Sequence, residues 1–461
     1  MFLLYSLLLT LGILALLPVF LWRALRHGKY VEGLRERAGV VGKIEAGGRP
    51  VVWLHCVSVG ETQAARPLAR ALVERFPSHA LVVSTTTLTG QRVAREAFRG
   101  LAASVFYFPF DWAWSVRRAL RAVNPSVVLM METELWPRFF RECGRRGVSV
   151  ALVNGRISEK SFGRYQLIRP FIRRVLSDLS LAAAQTEGDA ARLVALGLAP
   201  GRTRVTGNVK FDIEEAPAAP LTEELRRRFR IDKGRPLVVA ASTHAPEERV
   251  LLEALGLLRP TTTRRTRLLV APRHPERFGE VAALLEASGL TWARRTDEPR
   301  ESDAACDVIL LDSIGELRAV YPLAEVVFVG GSIAPVGGHN VLEPALDARA
   351  VVTGPYTSNF KSIVAALLER DALIQLPPSG QLVDAPPSAS GSWEGALGKA
   401  LRGLLRDGAR RRGMGERARA VLEENRGATA RTVELLAPLL RQRPEVRGQR
   451  PVEETALTSG L

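Results

Sequence analysis

Phe2 to Trp22 carries no charged side chain, and from Val51 onward the pattern changes to short apolar runs separated by segments with helical spacing. Twenty-one helical residues rise about 30 Å, the thickness of a hydrocarbon core, so the first run predicts a membrane-anchor helix within residues 1–30. Arg23, Arg26, Lys29, Arg35 and Arg37 follow it, and positive charge after the span predicts that the rest of the chain lies on the cytoplasmic side. No basic segment precedes the run and no small-residue cleavage site ends it, which argues against a cleaved signal peptide. Pro18 and the lone segment keep a second reading open, a monotopic helix docked on the soluble body.

Val51–His55, Leu81–Ser84, Ser126–Met131, Val148–Val153 and Leu181–Ala184 read as buried parallel strands. Helical spacing lies between them, as in Glu61–Phe76 and Trp136–Arg146. A second series follows at Leu237–Ala241, Leu268–Ala271, Val308–Leu311, Val326–Gly330 and Ala350–Thr353. Between the series, the acidic and proline-bearing stretch 213–222 breaks both periodicities and predicts a linker. The expectation is an α/β protein of two Rossmann-like domains, 31–212 and 223–440, with ligands at their facing strand ends. Pro377–Ser392 reads as a loop, and 441–461 as a disordered polar tail.

Composition adds mainly exclusions. With 461 residues, 46% hydrophobic and 24% charged, the chain is not a disordered, collagenous or disulfide-scaffold protein. The formal charge is +16, but only seven of the 64 basic residues are lysine. Such a bias toward arginine discounts the charge as a sign of nucleic acid, which is not expected as a partner. It fits an anionic membrane surface or a phosphorylated substrate equally well. Cys56, Cys143 and Cys306 have no metal-ligand spacing, so structural zinc is not expected and the body reads as a reducing-compartment protein.

Several turns carry chemistry-bearing residues. In Trp53–Thr62, Gly60 lets the backbone bend and Glu61 sits where a strand gives way to a helix. That carboxylate can accept a proton from an attacking hydroxyl, or merely complement a helix N-terminus. Glu132 and Glu134 follow the strand ending at Met131. On an extended backbone both would share one face, and the pair suits a divalent cation or the start of the helix at Pro137. With no third hard ligand obvious nearby, metal is the weaker reading. Asn154–Ser158 is a further polar turn after a strand. Lys210, between Gly207 and Asp212, is a cation for an anionic substrate or a solvated turn lysine.

In the second series, Arg273 and His274 fall at a strand's carboxyl end, where open α/β sheets bind anions. Gly315 permits close backbone approach in 312–317. The glycines of 330–338 ahead of a helix start predict a backbone N–H cradle for a phosphate, with Glu343 reaching ribose hydroxyls. The alternative is a glycine-rich connection capped by Asn340. The loop fits neither the dinucleotide fingerprint nor the P-loop. His55, His244 and His339 are spread over three turns and read as structural, and Trp112, Trp114 and Trp136 as packing residues.

In this order, VSVGE (57–61), METELWP (131–137), TGNVKFD (206–212), APRHPERF (271–278), IGEL (314–317) and GGSIAPVGGHNVLEPA (330–345) closely resemble the 3-deoxy-D-manno-octulosonic acid (Kdo) transferases of lipid A assembly. The resemblance runs from the anchor to about residue 430. It implies a GT-B architecture, CMP-Kdo as donor, a lipid A precursor as acceptor, and an inverting displacement with no metal or cofactor. By the same resemblance Glu61 matches the general base, and Glu132 and Lys210 match residues that stabilise the transition state. The CMP contacts fall on Pro272, Arg273, Ile314, Gly315, Glu316, Asn340, Val341, Leu342 and Glu343. The chain departs from the family pattern at Gly155, Ala245-Pro246, Val336 and Val341. Rival readings are another membrane-associated GT-B nucleotide-sugar enzyme and a non-catalytic adaptor that binds anionic lipid. The adaptor leaves the glycine-rich turns without a purpose.

Overall fold

The computed structural model describes residues 1–27, 32–213, 219–232, 234–258, 265–378 and 393–441. Residues 214–218 of the expected linker, most of the loop to Ser392, the side chains of the basic run Arg23–Lys29, and the expected tail beyond Arg441 lie outside the described residues, while the linker's last residues, from Ala219, already open helix Ala219–Arg228. The chain divides into two compact units, Met1–Asp212 together with the segment from Gly427, and Ile213–Arg426.

The first unit is built on a parallel seven-stranded sheet. Its strands are β1 (Val51–Cys56), β2 (Ala80–Thr85), β3 (Ser104–Tyr107), β4 (Pro125–Met131), β5 (Ser149–Gly155), β6 (Leu181–Ala184) and β7 (Thr203–Val205). They lie in the order β3-β2-β1-β4-β5-β6-β7. Helices cover both faces, which is why the strands read as unbroken apolar runs. Alternate residues of β1 feed separate cores. Val51 and Trp53 join a cluster with Phe139 and Leu152, while Val52, Leu54 and Cys56 join one with Leu68 and Leu129.

The second unit repeats the plan with β8 (Leu237–Thr243), β9 (Arg267–Pro272), β10 (Trp292–Arg294), β11 (Val308–Leu310), β12 (Val326–Val329), β13 (Ala350–Thr353) and β14 (Ile374–Gln375). The order is β10-β11-β9-β8-β12-β13-β14, again parallel. In each sheet the direction of winding reverses at the unit's first strand, between β1 and β4 and between β8 and β12. That is the switch point where open α/β sheets hold ligands.

The expected second domain, 223–440, runs too far. Helix Ala428–Arg441 belongs to the first unit, where Ala428, Val433, Leu436 and Leu440 complete a core with Leu68 and Leu72. Asp212 fixes its start by accepting the backbone N–H groups of Gly427 and Thr429 at 2.6 and 2.5 Å. Helical spacing shows that a helix needs an apolar partner, not which sheet supplies it.

The N-terminal helix, Phe2–His27, contains an 18-residue stretch, Phe2–Val19, with mean hydropathy 2.4 and none of it buried. It is long and apolar enough to cross a membrane. One stripe nevertheless rests on the first unit. Tyr5 donates to Asp111 at 2.9 Å, Arg138 donates to Ser6 at 2.7 Å, Trp112 donates to Thr10 at 3.0 Å, and the rings of Phe2 and Tyr5 pack on Phe171. Leu3, Leu7, Leu11 and Leu14 face outward.

Candidate functional site

In the first unit, a serine and a glutamate start the helix that follows β1. Ser58 caps helix Val59–Arg75, and its Oγ accepts the Glu61 N–H at 3.4 Å. The Glu61 carboxylate turns back. Its Oε2 accepts the Val57 N–H at 2.8 Å and its Oε1 accepts the Ser58 hydroxyl at 3.1 Å. This reciprocal arrangement is close to a capping box, so the helix-terminal role expected as an alternative is realised. It does not exhaust the residue's chemistry. Burial, with the nearby charges of Glu132 and Glu134, pushes the Glu61 carboxyl up to about 8 against the pull of its two hydrogen bonds. Gly60 sits in the first helical turn with no positive φ, so the bend needs no glycine there.

Glu132 and Glu134 lie in a turn rather than on the extended backbone expected for them. Glu132 takes a left-handed conformation, φ 51°, and its N–H donates to Val153 O. That turn ends β4 and aims Glu132 at Lys210, whose Nζ lies 3.0 Å from Oε1, with both side chains largely shielded from solvent. Lys210 is therefore not the solvated turn lysine of the alternative reading. Burial and the Glu132 charge push Glu134 up to about 7. Among the described residues, no group of three or more His, Cys, Asp or Glu side chains is placed to hold a metal ion.

Three residues the sequence left without a role position Lys210. Asn154, left-handed at φ 55° in β5, accepts the Val209 N–H at 3.1 Å. Asn208 accepts the Lys210 N–H at 3.0 Å, and Asp212 ties the segment to the returning helix. Asn154, expected in a polar turn after the strand, lies within β5 itself.

In the second unit, the glycine-rich loop after β12 is not an open phosphate cradle. Its N–H groups already serve a carboxylate of the protein. Glu247, fully buried at the start of helix Glu247–Leu258, accepts the N–H groups of His244, Gly331, Ser332 and Ile333 at 2.8–2.9 Å and of Ala334 at 3.3 Å. A Cβ on Gly330 would stand 2.6 Å from Glu247 Oε2 and 2.7 Å from Ser242 O, so only glycine fits there. No sequence signal distinguished Glu247 from any other acid in a first helical turn.

The expected CMP contacts follow β9, β11 and β12, and two of these strands, β11 and β9, are neighbours. Pro272 ends β9 and Arg273 is partly exposed. Ile314, 67% exposed, and Gly315, φ 90°, form a projecting turn. Glu316 is held by Arg295 at 3.0 Å and by the Ser313 hydroxyl at 2.7 Å. Asn340 accepts the Leu342 N–H and donates to Glu343 Oε1, both at 3.1 Å. Val341 and Leu342 are buried. Glu343 also hydrogen-bonds Tyr321, and burial raises its carboxyl. Its side chain is thus engaged within the protein rather than open to a sugar.

The histidines are not scattered. His244 Nε2 and His339 Nε2 lie 2.8 Å apart with nearly parallel rings, and His274 packs edge-on against His244. Burial and the charges of Arg273, His244 and His274 push His339 down to about 3. His55 is structural as expected, buried against Phe108 with Nδ1 2.9 Å from Ser84 Oγ.

The family model described as 3-deoxy-D-manno-octulosonic-acid transferase (kdotransferase) matches residues 32–213. The chain is similar to the 3-deoxy-D-manno-octulosonic acid transferase of Bordetella pertussis, with 36% identity over 92% of this chain and 96% of that one. It is similar also to the Haemophilus influenzae protein of that description, 33% identical over 90% and 93%. Among solved structures, a putative UDP-N-acetylglucosamine 2-epimerase from Listeria monocytogenes covers 88% of this chain and 99% of its own with TM-score 0.54 and 15% identity, a likeness of fold alone. The two parallel-sheet units are of GT-B type. With both transferases matched along nearly their whole length, the chain belongs to the 3-deoxy-D-manno-octulosonic acid transferase family and is a glycosyltransferase.

Proposed function

We propose that this enzyme moves Kdo from CMP-Kdo to a lipid A precursor of the lipid IVA type, with inversion and without a metal, at the cytoplasmic face of the inner membrane. The observation that carries the reading is Glu61, a buried carboxyl pushed up to about 8 at the switch point of the first sheet. A carboxylate of that basicity suits removal of a proton from a sugar hydroxyl near neutral pH. The hydroxyl proton passes to Glu61 as its oxygen bonds to the anomeric carbon from the face opposite the phosphate. The bond from that carbon to the phosphate oxygen breaks, and CMP leaves.

Lys210, held by Glu132, supplies a fixed cation for the charge that develops during transfer. Pro272, Arg273, Ile314–Glu316 and Asn340–Glu343 hold CMP, with Arg273 neutralising its phosphate. The engaged side chains of Glu316 and Glu343 fit a role in shaping these turns, leaving contact to backbone and to Ile314. The apolar N-terminal helix keeps the enzyme at the membrane where a lipid acceptor lies.

Transfer of labelled Kdo to a tetraacylated lipid A precursor in detergent, with CMP-Kdo regenerated enzymatically and EDTA present, tests the reading. Product from wild type and none from a folded, CMP-binding Glu61→Gln protein is expected. No product from wild type that binds CMP would overturn the acceptor, and no CMP binding would overturn the donor.

A further inference from the structure

His244 and His339 come from the loops after β8 and β12, the two strands that flank the second unit's switch point. Each precedes or faces a residue of the expected nucleotide site. His339 adjoins Asn340, and His274, packed on His244, adjoins Arg273. The 2.8 Å between the two Nε2 atoms admits one proton, so one ring donates and the other accepts. In the neutral pair the accepting ring carries its hydrogen on Nδ1, while the donating ring has a bare Nδ1. One added proton fills that site and gives the pair two outward Nδ1–H donors and one positive charge.

The surroundings oppose that proton in the unliganded protein. Arg273, His274 and Arg277 face the pair, against Glu248, which Arg277 already engages at 2.6 Å. Glu247, the other acid beside His244, is committed to five backbone N–H groups. Both rings remain partly accessible. The pair is therefore an uncharged couple inside a cationic frame, and an entering anion reverses the field.

We propose that His244 and His339 bind the nucleotide phosphate as a proton-sharing pair that takes up a proton from solvent when the phosphate arrives. The proposal rests on the CMP reading above and goes beyond it by naming two phosphate-binding residues and a proton linkage. The pair would then hold the leaving phosphate as a cation–anion complex, supplementing Arg273, in the unit where Glu247 occupies the N–H groups of Gly331–Ala334.

The test is calorimetric titration of the full chain in detergent with CMP at pH 7.5, in buffers of different ionisation enthalpy. Wild type is expected to take up about one proton per CMP, and its affinity to fall about tenfold per pH unit as pH rises from the unliganded pair's titration to the liganded pair's, levelling off above it. Cytidine, lacking the phosphate, should bind with no uptake. His244→Gln and His339→Gln, each checked for an unaltered melting temperature, should bind CMP about tenfold more weakly than wild type at pH 7.5 and lose the uptake. Either substitution suffices if the other fails to fold. CMP binding by wild type without proton uptake, or with uptake that survives both substitutions, overturns the pair and leaves the CMP reading standing. Absence of CMP binding overturns both.

Discussion

Two buried glutamates occupy corresponding places in the two units and live in opposite company. Glu61 and Glu247 each start the helix after the unit's first strand, at the switch point of its sheet. Each faces the loop that follows the strand across the switch. After β4 that loop brings two more carboxylates, Glu132 and Glu134, and only two hydrogen bonds reach Glu61. After β12 it brings four backbone N–H groups, and a fifth comes from His244. Burial raises both carboxyls, but the first keeps few hydrogen bonds and is the base proposed above, while the other is consumed in fixing a loop. Position in the fold alone does not separate a base from a structural acid. The two differ in what the neighbouring loop brings, carboxylates to Glu61 and N–H groups to Glu247.

Substituting the two in parallel gives the largest contrast. Glu61→Gln is expected to lower transfer by about 10²–10⁴-fold. It should melt no lower than wild type, because folding raises this carboxyl from its ordinary 4.5 to about 8. Between those values the folded chain binds more protons than the unfolded one, so the group's stability contribution declines as pH rises through that window, and removing it lifts the decline. Glu247→Gln loses charged acceptors for buried amides and should cost about 3 kcal/mol, a fall of about 6–12 °C in the second unit's melting by calorimetry. Equal melting for the two variants would dissolve the comparison.

The charge of the first site sets its pH profile. Below about 8 the ionised fraction of Glu61 falls about tenfold per pH unit, so kcat/KM should rise with pH up to that value. Glu132→Gln removes a like charge and should move this limb to lower pH while reducing the rate through loss of the Lys210 partner. A limb that stays in place would show that Glu132 does not act on Glu61. The smallest effect is expected from glycine. Gly60→Ala meets only Ser58 Oγ at 3.9 Å, so its melting should stay within about 1 kcal/mol of wild type. Gly330→Ala, with no room for a Cβ, should destabilise the second unit.

The strands legible in the sequence were the inner five of each sheet. The four that were not, β3, β7, β10 and β14, are the edges of the two sheets. An inner strand is covered on both faces and paired on both sides, so it must be apolar throughout. An edge strand such as Thr203–Val205 or Trp292–Arg294 is short and half exposed, and its composition looks like loop. The site divides in the same way. Glu61, Glu132, Lys210 and Arg273 stood out as charged residues in short motifs after apolar runs. Asn154 and Asn208, which place Lys210, resembled ordinary turn residues.

The sequence by itself determined the two α/β units, their inner strands, the apolar N-terminal helix and the family, because these rest on local periodicity and on motifs of contiguous residues. Only the tertiary structure decided that Glu132 and Lys210 meet across 78 positions, that the final helix completes the first unit's core, that Glu247 fills the glycine loop, and that His244 and His339 come within hydrogen-bonding distance. Each of those outcomes depends on which charges and hydrogen-bonding groups lie within a few ångströms once distant segments pack. Electrostatic energy varies with that separation and with the water excluded between the groups, and neither is encoded in the spacing along the chain.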